Sequence, residues 1–309
     1  VYKRQRGKLV KRGYKMKIAI VTDSTAYLPE RIKDHPNLFV IPIPVILDGK
    51  IYNEGIDIEA DEYYALLNNS KEFPTTSQPA LGEVLELYKS IAEQGYDTII
   101  SIHLSSGISG FVHTLHGLTD EIPGVALYPY DSKITSMPMG HMVEAALDLT
   151  EEKASLEEIF AKLDLIRDNT YAYLIVEDLN NLVRGGRLTN GAALIAGLLK
   201  IKPILTFEDG KIVLFEKIRS TKKAFARAEK IIGERNAGIE APVKLYVIHA
   251  NNRIVAEKEQ AKLQKLYPNA EIEIGHFGPV IGTHLGEKAI GLATVSYTHL
   301  RAHETRSNL

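Results

Sequence analysis

The chain has 309 residues, 45% of them hydrophobic and 25% charged, which is enough for a large core and two domains. It has no cysteine, which excludes disulfides, Cys-ligated zinc, iron–sulfur clusters and thiol catalysis. The formal net charge of −2 is unevenly spread. Residues 1–15 hold seven of the 37 Lys and Arg and none of the 39 Asp and Glu, and residues 297–309 hold two and one. The 281 residues between carry 28 basic and 38 acidic side chains, a net −10, which argues against a broad nucleic-acid surface. No apolar run reaches the ~18 residues of a membrane helix, and the basic head lacks the apolar stretch of a signal peptide. The expected location is the cytoplasm.

Met16 opens directly onto Lys-Ile-Ala-Ile-Val, so it reads as the natural first residue, with 1–15 a disordered extension. A tether to an anionic surface is the functional alternative for that head. Lys17–Val21 is expected to be a buried strand that ends in Thr22-Asp-Ser-Thr25. Phe39–Ile43 and Pro44–Leu47 are extended, with Pro42 and Pro44 interrupting a simple strand. Asp61–Asn68 reads as a helix. So does Gly82–Gln94, whose Val84, Leu85, Leu87, Tyr88 and Ile91 fall at helical spacings. Thr98–Leu104 is a buried strand, followed by Ser105-Ser-Gly-Ile-Ser-Gly110 and the start of another helix. Val125–Tyr130 is a strand ending in Asp131-Ser132, and Gly140–Leu149 is a helix. The βαβα rhythm predicts a parallel sheet covered on both faces.

The second half begins near 150–170, after the charged stretch Thr150-Glu-Glu-Lys153. Leu156–Arg167 is expected to be helical, Thr170–Ile175 a strand and Leu188–Leu199 a buried, nearly all-apolar helix. Pro203–Phe207 and Lys211–Ile218 flank Glu208-Asp-Gly210, a hairpin signal. Thr221–Glu234 is a helix with basic residues, and Lys244–His249 and Glu271–Gly275 are strands joined by a helix over Ile254–Tyr267. Regular patterning stops near Val295, and 296–309 looks appended. The expected division is a 1–15 extension, an N-terminal α/β domain over 16–160, a C-terminal α/β domain over 161–295 with a mixed or antiparallel sheet, and the 296–309 tail.

Several strands end in small hydroxyl or acidic residues, where open α/β folds place ligand sites. Capping of the following helices is the plainer reading of each taken alone. Pro74-Thr-Thr-Ser-Gln-Pro79 and Ser105–Gly110 put short donors before helices, either as capping loops or as clamps for a carboxylate. The second lacks the nucleotide-binding pattern G-x-x-x-x-G-K-[ST]. Arg184, in Arg184-Gly-Gly-Arg-Leu188, could pair with a carboxylate or sit solvated in its loop. His284 lies in the Gly-bracketed run Gly282-Thr-His-Leu-Gly286, either as a structural hydrogen-bonder or as a catalyst. The ten histidines show no metal-ligand spacing, and no G-x-S-x-G elbow appears. The apolar run Ala192–Leu199 is either ordinary core or the wall of an apolar tunnel.

Taken together, Ile18-Ala-Ile-Val-Thr-Asp-Ser-Thr25, Thr75-Thr-Ser-Gln-Pro79, Ser101-Ile-His-Leu-Ser-Ser-Gly-Ile-Ser-Gly110, Asp131-Ser132 with Ser136-Met137, Gly185-Gly-Arg-Leu188, Ile201-Lys-Pro-Ile-Leu205 and Gly282–Gly286 occur in an order that resembles the DegV family of fatty-acid-binding proteins. These are the FakB-type subunits of bacterial fatty acid kinase, and the resemblance covers about residues 16–295. It implies two domains with a lipid tunnel between them, and no catalytic centre, metal or cofactor. It implies a bound long-chain fatty acid whose carboxylate is presented to a dihydroxyacetone-kinase-like, ATP-dependent partner for acyl-phosphate formation and phospholipid synthesis. It leaves room for transient membrane contact. Carried over, Thr76 and one of Ser105 and Ser106 should hold the carboxylate, with Ser77, Arg184 and His284 close by. The chain departs from the family pattern at Phe111-Val-His-Thr-Leu115, after Ser109-Gly110, and at Gly286-Glu-Lys288. The alternative activity is a serine- and histidine-dependent acyl hydrolase or transferase.

Overall fold

A computed structural model of the chain describes residues 16–177, 179–191, 193, 201–237 and 243–296. The helix expected over Leu188–Leu199 falls largely outside these residues, as do the basic head and all but Ser296 of the tail.

The first sheet is parallel and four-stranded. Its strands are β1 (Ile18–Asp23), β2 (Leu38–Ile41), β6 (Thr98–His103) and β7 (Ala126–Asp131), in the order β2-β1-β6-β7. Every side chain of β1 and β6 is buried, as expected for strands covered on both faces. Alternation sorts them: Ile18 and Ile20 enter the core shared with the second sheet, and Ala19 and Val21 the core on the opposite face. Helix α1 (Ala60–Leu67) buries Tyr63 and Tyr64 in the shared core, and the outer core is closed by α2 (Leu81–Glu93), whose Val84, Tyr88 and Ile91 are the buried stripe, and by α3 (Phe111–Leu115).

The second sheet is mixed and six-stranded. It contains β8 (Thr170–Ile175), β9 (Lys202–Glu208), β10 (Lys211–Ile218), β11 (Val243–His249), β12 (Glu271–His276) and β13 (Ile290–Ser296), in the order β10-β9-β8-β13-β11-β12. Only β11 and β12 pair in parallel, through the crossover helix α8 (Arg253–Leu266); the other pairs are antiparallel. The far face of this sheet is covered by α8 and by α7 (Thr221–Asn236). Two α/β regions with sheets of different kind are therefore present, as the sequence patterning and the resemblance imply.

Two further helices complete the layer between the sheets: α4 (Ser136–Glu151) and α5 (Leu156–Asp168). α4 starts four residues before its expected start, because Pro138 sits in the first turn, where its missing N–H costs nothing. A capping box of Ser155 and Glu158 opens α5, which runs unbroken through residues 160 and 161.

A small antiparallel sheet joins β3 (Pro44–Leu47) to β4 (Lys50–Asn53) and to β5 (Thr75–Thr76). Its hairpin turns through Asp48 and Gly49, both at positive φ (48° and 73°), a signature of tight two-residue hairpin turns. This hairpin and the central strand β13 were not expected from the sequence.

Candidate functional site

Two loops and two short helices bring polar groups to one end of a cavity. β5 is held by the pairing of Val45 with Thr76 and of Ile46 with Thr75, and by the Ser77 N–H donating to Pro44 O at 3.1 Å. Strand alternation then leaves Thr75 exposed and turns Thr76 inward. The Ser105–Gly110 loop is pinned at its start: Ser105 Oγ donates to Gly210 O at 2.6 Å, and the Ser109 N–H to Ser105 O at 3.1 Å. This anchoring presents Ser109 at the cavity. α6 (Asn180–Arg184) leads into Arg187, which donates from Nε to Ile108 O at 3.2 Å and from Nη1 to Gly185 O. α9 (Pro279–Leu285) carries His284 in its last turn.

The cavity takes in about 870 Å³ of space between atoms, open solvent at its mouth included. Thr76, Ser77, Gln78, Ser109, Arg187 and His284 line it with polar groups. Most of its remaining surface is apolar: Leu104, Ile134 and Pro138 from the parallel-sheet side, and Leu174, Gly291 and Ala293 from the face of the second sheet.

His284 sits at the centre of the polar end, with Nε2 2.8 Å from Thr76 Oγ1. Burial, reinforced by the nearby Arg187 charge, pushes its pKa down to about 4, so the ring is neutral at physiological pH. Its Nδ1 is buried without a hydrogen-bond partner among the described residues. Gly185 allows this packing, since a Cβ there would lie 2.4 Å from Nδ1. In the tautomer protonated on Nε2, the ring donates to Thr76 and leaves the threonine hydroxyl hydrogen free for an anion. Burial also lowers the pKa of Arg187, which remains a cation far above neutral pH.

The other residues named from the sequence lie elsewhere. Ser105 is fully buried and spent on Gly210. Ser106 is exposed and bonds Asp131 through both its N–H and its hydroxyl. The exposed Arg184 stacks on Phe73, 5.2 Å from the ring centroid. Ser109, Gln78 and Arg187 take their places on the cavity, three residues that sequence reasoning passed over although all lie inside motifs it singled out. Among the strand-end residues, Ser24 and Thr25 line a separate cleft, and Ser132 donates to Ile134 O at 2.9 Å.

Asp23 belongs to a buried chain of hydrogen bonds. His103 Nδ1 lies 2.9 Å from Asp23 Oδ2, His103 Nε2 2.7 Å from Ser101 Oγ, and Tyr88 OH 2.7 Å from the same Ser101 oxygen. The set imitates a Ser–His–Asp triad. Ser101, His103 and Asp23 are each 0% exposed and none lines the cavity, so an acyl group has no path to Ser101. Among the described residues no group of three or more His, Asp and Glu could hold a metal, and no helix is long and apolar enough to cross a membrane.

Fold and site together define an α/β protein of two large sheets and one small one, with a mostly apolar cavity whose hydroxyls, arginine and neutral histidine suit an amphipathic anion. The model of the DegV family matches residues 17–297, and the chain belongs to that family. A DegV domain-containing protein of Listeria monocytogenes is 46% identical over 276 residues, covering 89% of this chain and 97% of the relative. Protein DegV of Bacillus subtilis is 41% identical over 278 residues, covering 90% and 98%. Among solved structures, a fatty acid binding DegV family protein from Streptococcus agalactiae superposes with a TM-score of 0.86 at 40% identity, covering 91% of this chain and 99% of that one. The fatty acid binding protein DegV of Bacillus subtilis gives 0.83 at 39% identity, with 91% and 100% covered.

Proposed function

We propose that the protein binds one long-chain fatty acid, tail in the cavity and carboxylate at the polar end. The observation that carries this reading is the distribution of polarity in the cavity: Thr76, Ser109, Arg187 and neutral His284 are gathered through the Thr76–His284 contact and the Arg187 bond to Ile108 O, the Thr135 hydroxyl is turned to Thr25, and the face of the second sheet contributes only apolar or small residues. The descriptions of the Streptococcus agalactiae and Bacillus subtilis structures as fatty acid binding support it. An alkyl tail gains about 0.8 kcal/mol per buried methylene, so the tail supplies affinity. A buried carboxylate keeps its charge only where donors meet it, and Thr76, Ser109 and Arg187 are such donors. Ser77 flanks them, and Ser105, Ser106 and Arg184 shape the surrounding loops rather than the clamp.

The protein acts as a non-catalytic subunit that presents the carboxylate, in the cytoplasm, to an ATP-dependent kinase of the dihydroxyacetone-kinase-like type. The kinase transfers the γ-phosphoryl group to a carboxylate oxygen, giving an acyl phosphate and ADP. A hydrolase reading lacks support: His284 faces a threonine, and among the described residues no carboxylate meets its Nδ1 to orient the ring. The test is reconstitution with such a kinase, ATP and palmitate. Acyl phosphate is expected only when this protein is present. Equal product from kinase and free fatty acid alone would contradict the presenting role.

A further inference from the structure

A second cleft, of about 1140 Å³, opens to the surface behind the cavity. The partition between the two is one residue thick, since neighbours in sequence line opposite sides. Ile43 faces the cavity and Pro42 the cleft; Phe277 faces the cavity and His276 and Gly278 the cleft; Val280 faces the cavity and Pro279 the cleft. Thr135, on the cavity, donates through Oγ1 to Thr25 Oγ1, on the cleft, at 2.9 Å.

Most of this partition is fixed through its backbone. The Ile43 N–H donates to Ser24 Oγ at 3.0 Å, the Val280 N–H to Glu54 Oε1 at 3.0 Å, and the Ser136 N–H to Thr25 O at 3.0 Å. Glu54 is itself buried between Ser24 and α9, and burial raises its pKa to about 8. Phe277 is also anchored by its backbone, with its N–H donating to His249 O at 2.8 Å and its O accepting from Tyr64 OH at 3.0 Å. Its ring lies on the cavity side of the wall, packed near Gly291 and Leu174 on the floor of the cavity.

The floor also sets a length. Cavity residues lie on or beside five neighbouring strands, from Ile212 on β10, through Phe207, Ala172 and Ala293, to Ile248 on β11. Four strand spacings of ~4.8 Å span about 19 Å. A zigzag chain of ~1.5 Å bonds advances about 1.25 Å per carbon, so about 15 carbons fill that span. A longer tail meets the partition. Beyond it the cleft is mixed, with Val40, Pro42 and Ile56 beside Lys33, Glu59 and His276.

We infer that the Phe277 ring, standing between the cavity and the outer cleft, is the stop that limits acyl-chain length. This rests on the fatty-acid reading. Removing the ring extends the tail end of the cavity toward the cleft and makes room for a longer tail, while the backbone anchors hold the wall in place. The experiment is competition between palmitic and docosanoic acid for the wild type, Phe277→Ala and the milder Phe277→Leu, read by native mass spectrometry on folded protein. In the variants the docosanoate-to-palmitate affinity ratio is expected to rise by about tenfold or more, because methylenes excluded before are now buried. A ratio unchanged or lowered in both variants overturns the stop. A wild type that binds neither acid overturns the fatty-acid reading itself and the stop with it.

Discussion

Thr76→Ala combined with Ser109→Ala is expected to weaken fatty-acid binding by about 100-fold or more. Each removes a hydroxyl from the polar end of the cavity, and a hydrogen bond to a charged group contributes about 1.5–3 kcal/mol. Loss of Thr76 also leaves His284 Nε2 without its partner, in a ring whose Nδ1 already lacks one. Ser106→Ala serves as the contrast, because that hydroxyl is bonded to Asp131 and lies off the cavity, so its affinity should match the wild type. Isothermal titration with oleate measures all three. A Ser106→Ala protein weakened as much as the double variant would return the clamp to the start of the loop.

Asp23→Ala should lower stability by about 3–5 kcal/mol, read as a shift in the denaturant midpoint. Asp23 accepts from His103 Nδ1, from the Leu104 N–H at 3.0 Å, and from both the N–H and the hydroxyl of Thr25 at 3.1 and 2.6 Å. All of these groups are buried, so each donor stripped of its acceptor bears the cost of desolvation. The chain of Tyr88, Ser101, His103 and Asp23 ties α2 to the carboxyl ends of β1 and β6, from which the Ser105–Gly110 loop departs. Its role is to fix the loop that carries Ser109. A change of less than about 1 kcal/mol would contradict this, since such a loss is typical of exposed positions.

The parallel sheet was legible because β1 is an apolar run that ends in Thr22-Asp23 and β6 is rich in isoleucine (Ile99, Ile100 and Ile102), as strands buried on both faces are. β13 was not legible, although it lies at the centre of the second sheet. Its sequence, Ile290-Gly-Leu-Ala-Thr-Val-Ser296, includes Gly291 and Ala293, which weaken the strand signal. Those same residues line the cavity floor, so the feature that hides the strand makes room in the cavity. The β3–β4 hairpin did carry a local sign, Asp48-Gly49 between the runs Pro44–Leu47 and Lys50–Asn53, and it is the element on which Thr76 is mounted.

At the site, the motifs were legible and their inward-facing members only in part. Thr76, Ser77 and His284 line the cavity. Within Ser105–Gly110 the serine on the cavity is Ser109, because Ser105 is drawn to Gly210 and Ser106 to Asp131, partners 105 and 25 residues away in sequence. Within Arg184–Leu188 the arginine on the cavity is Arg187, because Arg184 is taken by Phe73 and Arg187 by Ile108. Such choices are made by tertiary partners, and no local pattern in a Gly-bracketed loop encodes them.

The most direct test of the whole account is the identity of what the protein carries. Protein expressed in bacteria and purified without detergent should release, on denaturation, one long-chain fatty acid per chain by mass spectrometry. A well-folded protein that comes out empty, and then takes up neither palmitate nor oleate, would contradict it.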